Sequence, residues 1–119
     1  MRVSVFGLGY VGAVSAACIA SQGHSVVGVD KNDTKVGLIR DGKSPIVEAG
    51  VDELISAANR EGRLSATTDS AQAVRDSDLS LVCVGTPSES NGNLNLEYVR
   101  RVCEEIGDVL RTLDRYHIV

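Results

Sequence analysis

The sequence lacks the features that mark membrane-inserted and secreted proteins. None of its apolar runs approaches the roughly 20 residues of a membrane-spanning helix, and its first residues lack the apolar segment and cleavage site of a signal peptide. Its three cysteines form an odd set without paired spacing, which is typical of a reducing compartment. We therefore expect a cytoplasmic protein with no membrane partner.

Patterns for binding metal or nucleic acid are also scarce. The only two histidines, His24 and His117, stand alone, so no metal site is predicted. The 12 Lys and Arg residues are scattered among 16 Asp and Glu residues, for a net charge of −4, which argues against a nucleic-acid-binding surface. What remains is a chain of 119 residues, 43% hydrophobic, which suits one globular domain or part of one.

Apolar runs and turn residues predict strands and helices in alternation. Short apolar runs predict four strands, at Val3–Phe6, Ser25–Val29, Ser65–Thr68 and Leu79–Val84. Helical spacing of apolar residues predicts five helices, at Tyr10–Gln22, Thr34–Arg40, Asp52–Arg60, Ala71–Arg75 and Leu96–Leu113. The alternation predicts an α/β fold, a Rossmann-type doubly wound parallel sheet in the strand order 3-2-1-4.

Several side chains are assigned to the core or to helix ends by the same patterns. Val11 and Cys18 are predicted on the apolar face of the first helix, and Asp33 is predicted to cap the second. The fourth strand is nearly all apolar, which predicts burial on both faces. All three cysteines are expected to be core residues, namely Cys18, Cys83 and Cys103.

The stretch FGLGYVG carries a G-x-G-x-x-G motif between a predicted strand and a predicted helix. Such a motif is weak evidence alone, but here it lies inside a βαβ unit of suitable length. Gly7 is expected to allow the tight turn, Gly9 to let the backbone approach a pyrophosphate, and Gly12 to let the helix pack close to the strand. The motif therefore predicts a dinucleotide site.

An acidic residue supports that interpretation. Asp30 ends the second strand, where it is expected to accept hydrogen bonds from the adenosine ribose. The pyrophosphate is expected at the start of the helix, at Tyr10 and Val11. A carboxylate repels a 2′-phosphate, so NAD is favoured over NADP, although Lys31 and Lys35 are cations close enough to weaken the argument.

Two further residues are candidates for cofactor contact. Lys35 lies about one turn beyond Asp30, within reach of the adenosine, or it is an ordinary solvated lysine. Thr86 follows the fourth strand, which neighbours the first, and Pro87 holds it extended. Spacing leaves a simple strand-ending turn as an equal alternative for Thr86.

Four stretches, FGLGYVG, GVD with a lysine soon after it, GKSPIVE and CVGTPS, occur together and in order. With them the whole chain resembles the family of nucleotide-sugar dehydrogenases, which oxidise a sugar C6 alcohol to a carboxylate with two NAD. FGLGYVG and VGTP are shared across that family, whereas GKSPIVE and the final LDRYHIV are most similar to its GDP-mannose branch. The resemblance implies NAD contacts at Tyr10, Val11, Asp30, Lys35 and Thr86.

The resemblance also implies which parts of the enzyme these residues leave out. Family members use a cysteine nucleophile, assisted by lysine and asparagine, in a region beyond residue 119, and their sugar-nucleotide site lies there too. We therefore expect residues 1–119 to form the N-terminal dinucleotide-binding domain without catalytic residues, and His117-Ile118-Val119 to begin a further strand of a truncated sheet. One departure is Ala49-Gly50, where the family usually has proline and glycine.

Two interpretations of function stay open at this point. In the first, the chain is the NAD-binding part of a homo-oligomeric dehydrogenase whose substrate is GDP-mannose, or alternatively UDP-glucose or a related UDP-sugar. In the second, it is a stand-alone NAD-binding module without catalysis.

Overall fold

The computed structural model describes residues 1–119 and contains one sheet of four parallel strands. The strands lie in the order β3-β2-β1-β4, which confirms the predicted topology. Their bounds are β1 (Arg2–Phe6), β2 (Ser25–Val29), β3 (Leu64–Thr67) and β4 (Leu79–Val82). The carboxyl ends of all four strands therefore meet at one edge of the sheet.

Five helices cover the two faces of this sheet, at α1 (Tyr10–Ser21), α2 (Asp33–Arg40), α3 (Val51–Arg60), α4 (Ser70–Asp76) and α5 (Glu97–Leu110). Helices α1, α2 and α3 pack on one face around a core that includes Val5, Ile39 and Ile55. Helices α4 and α5 pack on the other face, around Phe6 and Ile106. No helix of the structure has the length and apolarity needed to cross a membrane.

The buried face of α1 differs from the prediction. Val11 and Cys18 are exposed, and the helix instead buries its smallest residues, Gly12, Ala13, Ala16, Ala17 and Ala20. The reason is the short distance between helix and sheet, since a Cβ at Gly12 would overlap the carbonyl oxygen of Gly7. Only small side chains fit where the helix lies closest to the sheet, so Val11 and Cys18 face outward.

The prediction that the cysteines are core residues is wrong for two of them. Cys18 and Cys103 are exposed, and Cys83 is only half-buried. On α5 the buried positions are Ile106 and Val109, so the apolar face is rotated away from Cys103. A helix with apolar residues on more than one side leaves this rotation open, and packing against α4 decides it.

The cap of α2 also differs from the prediction. Asn32, and not Asp33, is the capping residue, and its Oδ1 accepts hydrogen bonds from the backbone N–H groups of Thr34 at 3.0 Å and Lys35 at 3.2 Å. Asp33 is the first residue of the helix, where its charge favours the positive end of the helix dipole. The helix therefore begins one residue earlier than predicted.

Strand β4 is shorter and less buried than predicted. It ends at Val82, and only Ser80 is fully buried. Strand β1 pairs with one side of β4, whereas the other side has a single bridge, between Leu79 and Ile118. One bridge covers little of the strand, which explains the partial exposure, and it places Ile118 beside β4 without forming the predicted further strand.

Buried hydroxyl groups link residue 117 to this sheet. Ser77 donates to Ser4 at 3.0 Å, and the hydroxyls of Ser4 and Ser80 lie 2.7 Å apart. The Ser80 hydroxyl lies 2.8 Å from Nε2 of His117, whose Nδ1 lies 3.2 Å from the carbonyl oxygen of Ser77. Every group in this ring is satisfied when His117 is neutral and carries its proton on Nδ1.

A second proton on His117 would reverse the direction of the hydrogen bonds from His117 to Ser80 and from Ser80 to Ser4. Nε2 would then donate to Ser80, Ser80 would donate to Ser4, and the remaining acceptor for Ser4 is the carbonyl oxygen of Leu79 at 3.4 Å. A bond of that length is weak. Burial also lowers the pKa of His117, so the hydrogen-bond geometry and desolvation both favour the neutral imidazole.

We expect the chain to lose stability as the pH falls below about 6.5, the ordinary pKa of histidine. Because the folded-state pKa of His117 is lowered, the unfolded chain binds more protons in this window, and the free energy of unfolding therefore rises with pH and is lost on acidification. Asp78, whose pKa the Arg2 side chain lowers to about 2, stays ionised throughout. Urea unfolding at about pH 7.5 and about pH 5.5 measures the effect.

Two variants show which histidine causes the pH dependence of stability. His117→Asn should lose part of the pH dependence, whereas His24→Gln, which keeps His117 and its ring, should retain it. Equal pH dependence in His117→Asn and the wild type would contradict the role of the ring.

Candidate functional site

A cleft of about 820 Å³, the largest in the structure, lies at the carboxyl ends of β1, β2 and β4. It brings together all but one of the predicted site residues, namely Gly7, Gly9, Tyr10, Val11, Asp30, Lys35 and Thr86. Gly12 does not line the cleft and lies behind it, against the turn. Crevices at this edge of an open α/β sheet are where such folds bind ligands.

The turn after β1 requires a glycine for two separate reasons. Gly7 has a φ of +97°, which strains any residue with a Cβ. A Cβ there would also lie 2.7 Å from the carbonyl oxygen of Cys83. The N–H of Gly7 donates to the carbonyl oxygen of Val29 at 2.7 Å, so the ends of β1, β2 and β4 are held together at this residue.

The start of α1 is open toward the cleft. Gly9 is the capping residue, has no side chain to satisfy the first N–H groups of the helix, and a Cβ built on it would meet nothing within 4 Å. The first turn contains no acidic residue, and the side chains of Tyr10 and Val11 are exposed. Free N–H groups at the positive end of a helix, beside an open space, suit an anion such as a pyrophosphate.

Asp30 has a structural role that the sequence did not predict. One of its carboxylate oxygens accepts from the N–H of Leu8 at 2.8 Å, and the other accepts from the N–H of Asn32 at 2.9 Å. The carboxylate thus joins the glycine-rich turn to the end of β2. Each oxygen keeps a further lone pair, so both can still accept from ribose hydroxyls.

Gly28 is a second feature that sequence reasoning missed. A Cβ at Gly28 would lie 2.6 Å from the side chain of Leu8, which is completely buried. Strand β2 therefore lacks a side chain at the point where Leu8 fills the core beneath the turn. A glycine inside an otherwise apolar strand was the available signal.

The two lysines near Asp30 are in different electrostatic situations. The Nζ atom of Lys31 lies 3.1 Å from Oε1 of Glu105, so its charge is already compensated. Lys35 lines the cleft and is half-buried. The ion pair weakens the attraction that Lys31 could exert on a 2′-phosphate, which favours NAD over NADP.

A further part of the cleft wall was not predicted. It is formed by residues of α5 together with two residues from loops and helix starts, namely Tyr98, Arg101, Val102, Glu105, Ser70 and Cys83. Burial raises the pKa of the Cys83 thiol, which disfavours the reactive thiolate. Apart from Cys83, which belongs to the CVGTPS stretch, no local motif marks these residues, because their position depends on how α4 and α5 pack.

An open glycine turn, an uncapped helix start and an acid at the end of β2 define the chain as a dinucleotide-binding α/β domain. Residues 1–119 match the family described as the UDP-glucose/GDP-mannose dehydrogenase family, NAD binding domain. The chain belongs to this family, and its cofactor is NAD.

Several known proteins are similar over most or all of the chain. GDP-mannose 6-dehydrogenase of Pseudomonas putida is 56% identical over 119 residues, which are 100% of this chain and 27% of that protein. UDP-glucose 6-dehydrogenase of Rhizobium meliloti is 42% identical over 107 residues, 89% of this chain and 24% of that protein. The structure of a ternary complex of GDP-mannose dehydrogenase from Pseudomonas aeruginosa matches with a TM-score of 0.97 at 54% identity, covering 99% of this chain and 27% of that one.

We expect Gly9→Val to abolish NAD binding without unfolding the chain. The extended backbone of Gly9 tolerates a side chain, and a Cβ there meets no protein atom within 4 Å, so the two methyl groups would fill only the space needed by the pyrophosphate. Calorimetric titration with NAD and circular dichroism measure binding and folding. Gly37→Ala, at a glycine outside the cleft with equal free space, is the control. A folded Gly9→Val variant with normal NAD affinity would show that the pyrophosphate lies elsewhere.

We expect Asp30→Ala to weaken NAD binding by about 1–3 kcal/mol, the scale of a hydrogen bond to a charged group. The difference in binding affinity between NAD and NADP should become smaller, because no carboxylate is left to repel the 2′-phosphate. Titration of both cofactors measures these effects, with Asp33→Ala as a control outside the cleft.

Asp30→Asn separates the two roles of this residue. The amide oxygen can still accept from the N–H of Leu8, so the turn should stay in place, while the negative charge and the acceptor for the N–H of Asn32 are lost. Unchanged NAD affinity in both Asp30 variants would refute the assignment of the ribose to this residue.

Proposed function

We propose that the chain is the NAD-binding part of a GDP-mannose 6-dehydrogenase, which oxidises the C6 alcohol of GDP-mannose to the carboxylate of GDP-mannuronate with two NAD. The main support is the identity of 56% to the Pseudomonas putida GDP-mannose enzyme, against 42% to the Rhizobium meliloti UDP-glucose enzyme. The GKSPIVE stretch also favours a GDP-mannose enzyme over a UDP-glucose enzyme.

We also propose that residues 1–119 act as the N-terminal domain of a longer enzyme. The chain spans about 27% of the length of the GDP-mannose 6-dehydrogenases that it matches. In this proposal the sugar nucleotide and the cysteine nucleophile are held by residues outside this range. The enzyme is proposed to be a cytoplasmic homo-oligomer whose product enters alginate biosynthesis.

In this proposal each part of the cofactor has a position in the cleft. Backbone N–H groups at Tyr10 and Val11 bind the pyrophosphate, which approaches through the open space at Gly9. Gly7 and Gly12 shape the turn and bind nothing through side chains. When bound, NAD supplies the acceptor for the hydride that leaves the sugar C6.

The ribose and nicotinamide ends are bound by different strands. Asp30 accepts from the adenosine ribose hydroxyls, and Lys35 lies beside the same sugar. Thr86 follows β4 on the other side of β1, where its exposed hydroxyl and backbone face the nicotinamide half. The protein thus orients the dinucleotide across β1, from β2 toward β4.

A UDP-glucose dehydrogenase is the second candidate. It is favoured by the UDP-glucose dehydrogenase from Pyrobaculum islandicum, whose structure matches with a TM-score of 0.92 at 38% identity and covers 98% of this chain and 27% of that one. FGLGYVG and VGTP suit both substrates, because they lie in the cofactor half.

A chimera tests the proposed function. Residues 1–119 replace the matching segment of the Pseudomonas aeruginosa GDP-mannose 6-dehydrogenase, which is 55% identical over this range. We expect the chimera to form two NADH for each GDP-mannose consumed, and Gly9→Val within it to remove activity. A folded chimera that binds GDP-mannose but not NAD would overturn the proposal.

We expect residues 1–119 alone to catalyse no sugar oxidation with NAD and GDP-mannose. Two cysteines are exposed without an activating partner, and burial raises the pKa of Cys83. NADH absorbance measures turnover. Steady NADH production that disappears in Cys83→Ser would contradict this expectation and favour catalysis within these residues.

A further inference from the structure

Two buried polar atoms at the cleft have no hydrogen-bond partner. They are the hydroxyl oxygen of Ser70, a residue that is 7% exposed, and Oε2 of Glu105. Both residues line the cleft. A buried polar atom without a partner carries a free-energy penalty, so the pair indicates that a polar ligand group completes the site.

The Glu105 carboxylate is already fixed in position. Its Oε1 atom pairs with Nζ of Lys31 at 3.1 Å, which leaves Oε2 as the unsatisfied acceptor. Lys31, Ser70 and Glu105 also line a smaller neighbouring cavity of about 390 Å³. These three side chains, called the end wall here, therefore separate the two cavities.

The end wall lies where the base of a bound adenosine would point. Lys31 directly follows Asp30, the proposed ribose ligand, and Ser70 begins the helix after β3. Strand β3 lies on the side of β2 opposite to β1, whereas the proposed pyrophosphate position is at the start of α1, next to β1. A base attached to a ribose at Asp30 therefore extends away from the pyrophosphate and toward the end wall.

We propose that the end wall recognises the 6-amino group of the cofactor's adenine. Oε2 of Glu105 accepts a hydrogen bond from this amino group, and the Ser70 hydroxyl pairs with a ring nitrogen or with the second amino hydrogen. A purine with a 6-oxo group would instead place an oxygen against the carboxylate, which is repulsive. The inference rests on the proposed NAD site and adds the group that selects the base.

The test compares NAD with nicotinamide hypoxanthine dinucleotide, in which a 6-oxo group replaces the amino group. We expect the wild type to bind NAD at least about tenfold more tightly, as for a hydrogen bond to a charged group. Glu105→Gln keeps the size of the side chain and can donate to a 6-oxo group, so the preference should disappear or reverse. Ser70→Ala should reduce the preference several-fold.

Glu104→Gln is the matched control, because Glu104 is the preceding residue on α5 and does not line the cleft. It should keep the wild-type preference, and circular dichroism checks that each variant is folded. Equal affinity of the wild type for both dinucleotides, or an unchanged preference in Glu105→Gln, would overturn the end wall while leaving NAD binding intact. Failure of the wild type to bind either dinucleotide would overturn the NAD site itself, and the end wall with it.

Discussion

The contact of α1 with the carbonyl oxygen of Gly7 is the constraint on which the cleft depends. It exists only because Gly12 has no side chain, and it brings the first turn of the helix directly over the end of β1. The small residues along α1 continue this close approach along the helix. A larger residue at Gly12 would move the helix outward and with it the N–H groups that face the cleft.

The turn itself is held by neighbours that are distant in sequence. Cys83 approaches Gly7 from β4, and the carboxylate of Asp30 holds Leu8 from β2. Asp30 is therefore part of the scaffold as well as a proposed ligand of the ribose. This combination explains why an acid at the end of β2 is useful even before a cofactor binds, because it fixes the turn in the conformation that the proposed pyrophosphate site needs.

Electrostatic pairing divides the cations around the cleft into two groups. Lys31 is neutralised by Glu105, whereas Lys35 is not engaged in an ion pair. The pair reduces attraction for an additional phosphate and at the same time fixes one oxygen of Glu105, so that the other is left buried and without a partner. A single ion pair thus connects the preference for NAD with the proposed selection of adenine.

The sequence by itself determined the strand order, the glycine turn and the acid that ends β2, because short apolar runs and glycines act through local backbone geometry. It did not determine which side of α1 and α5 is buried, and so it misplaced Cys18 and Cys103. Tertiary structure alone decided that Glu105 faces Lys31 and lies in the same wall as Ser70. These residues come from three separate segments, and only the packing of α4 and α5 against the sheet brings them together, since no local pattern encodes contacts between distant segments.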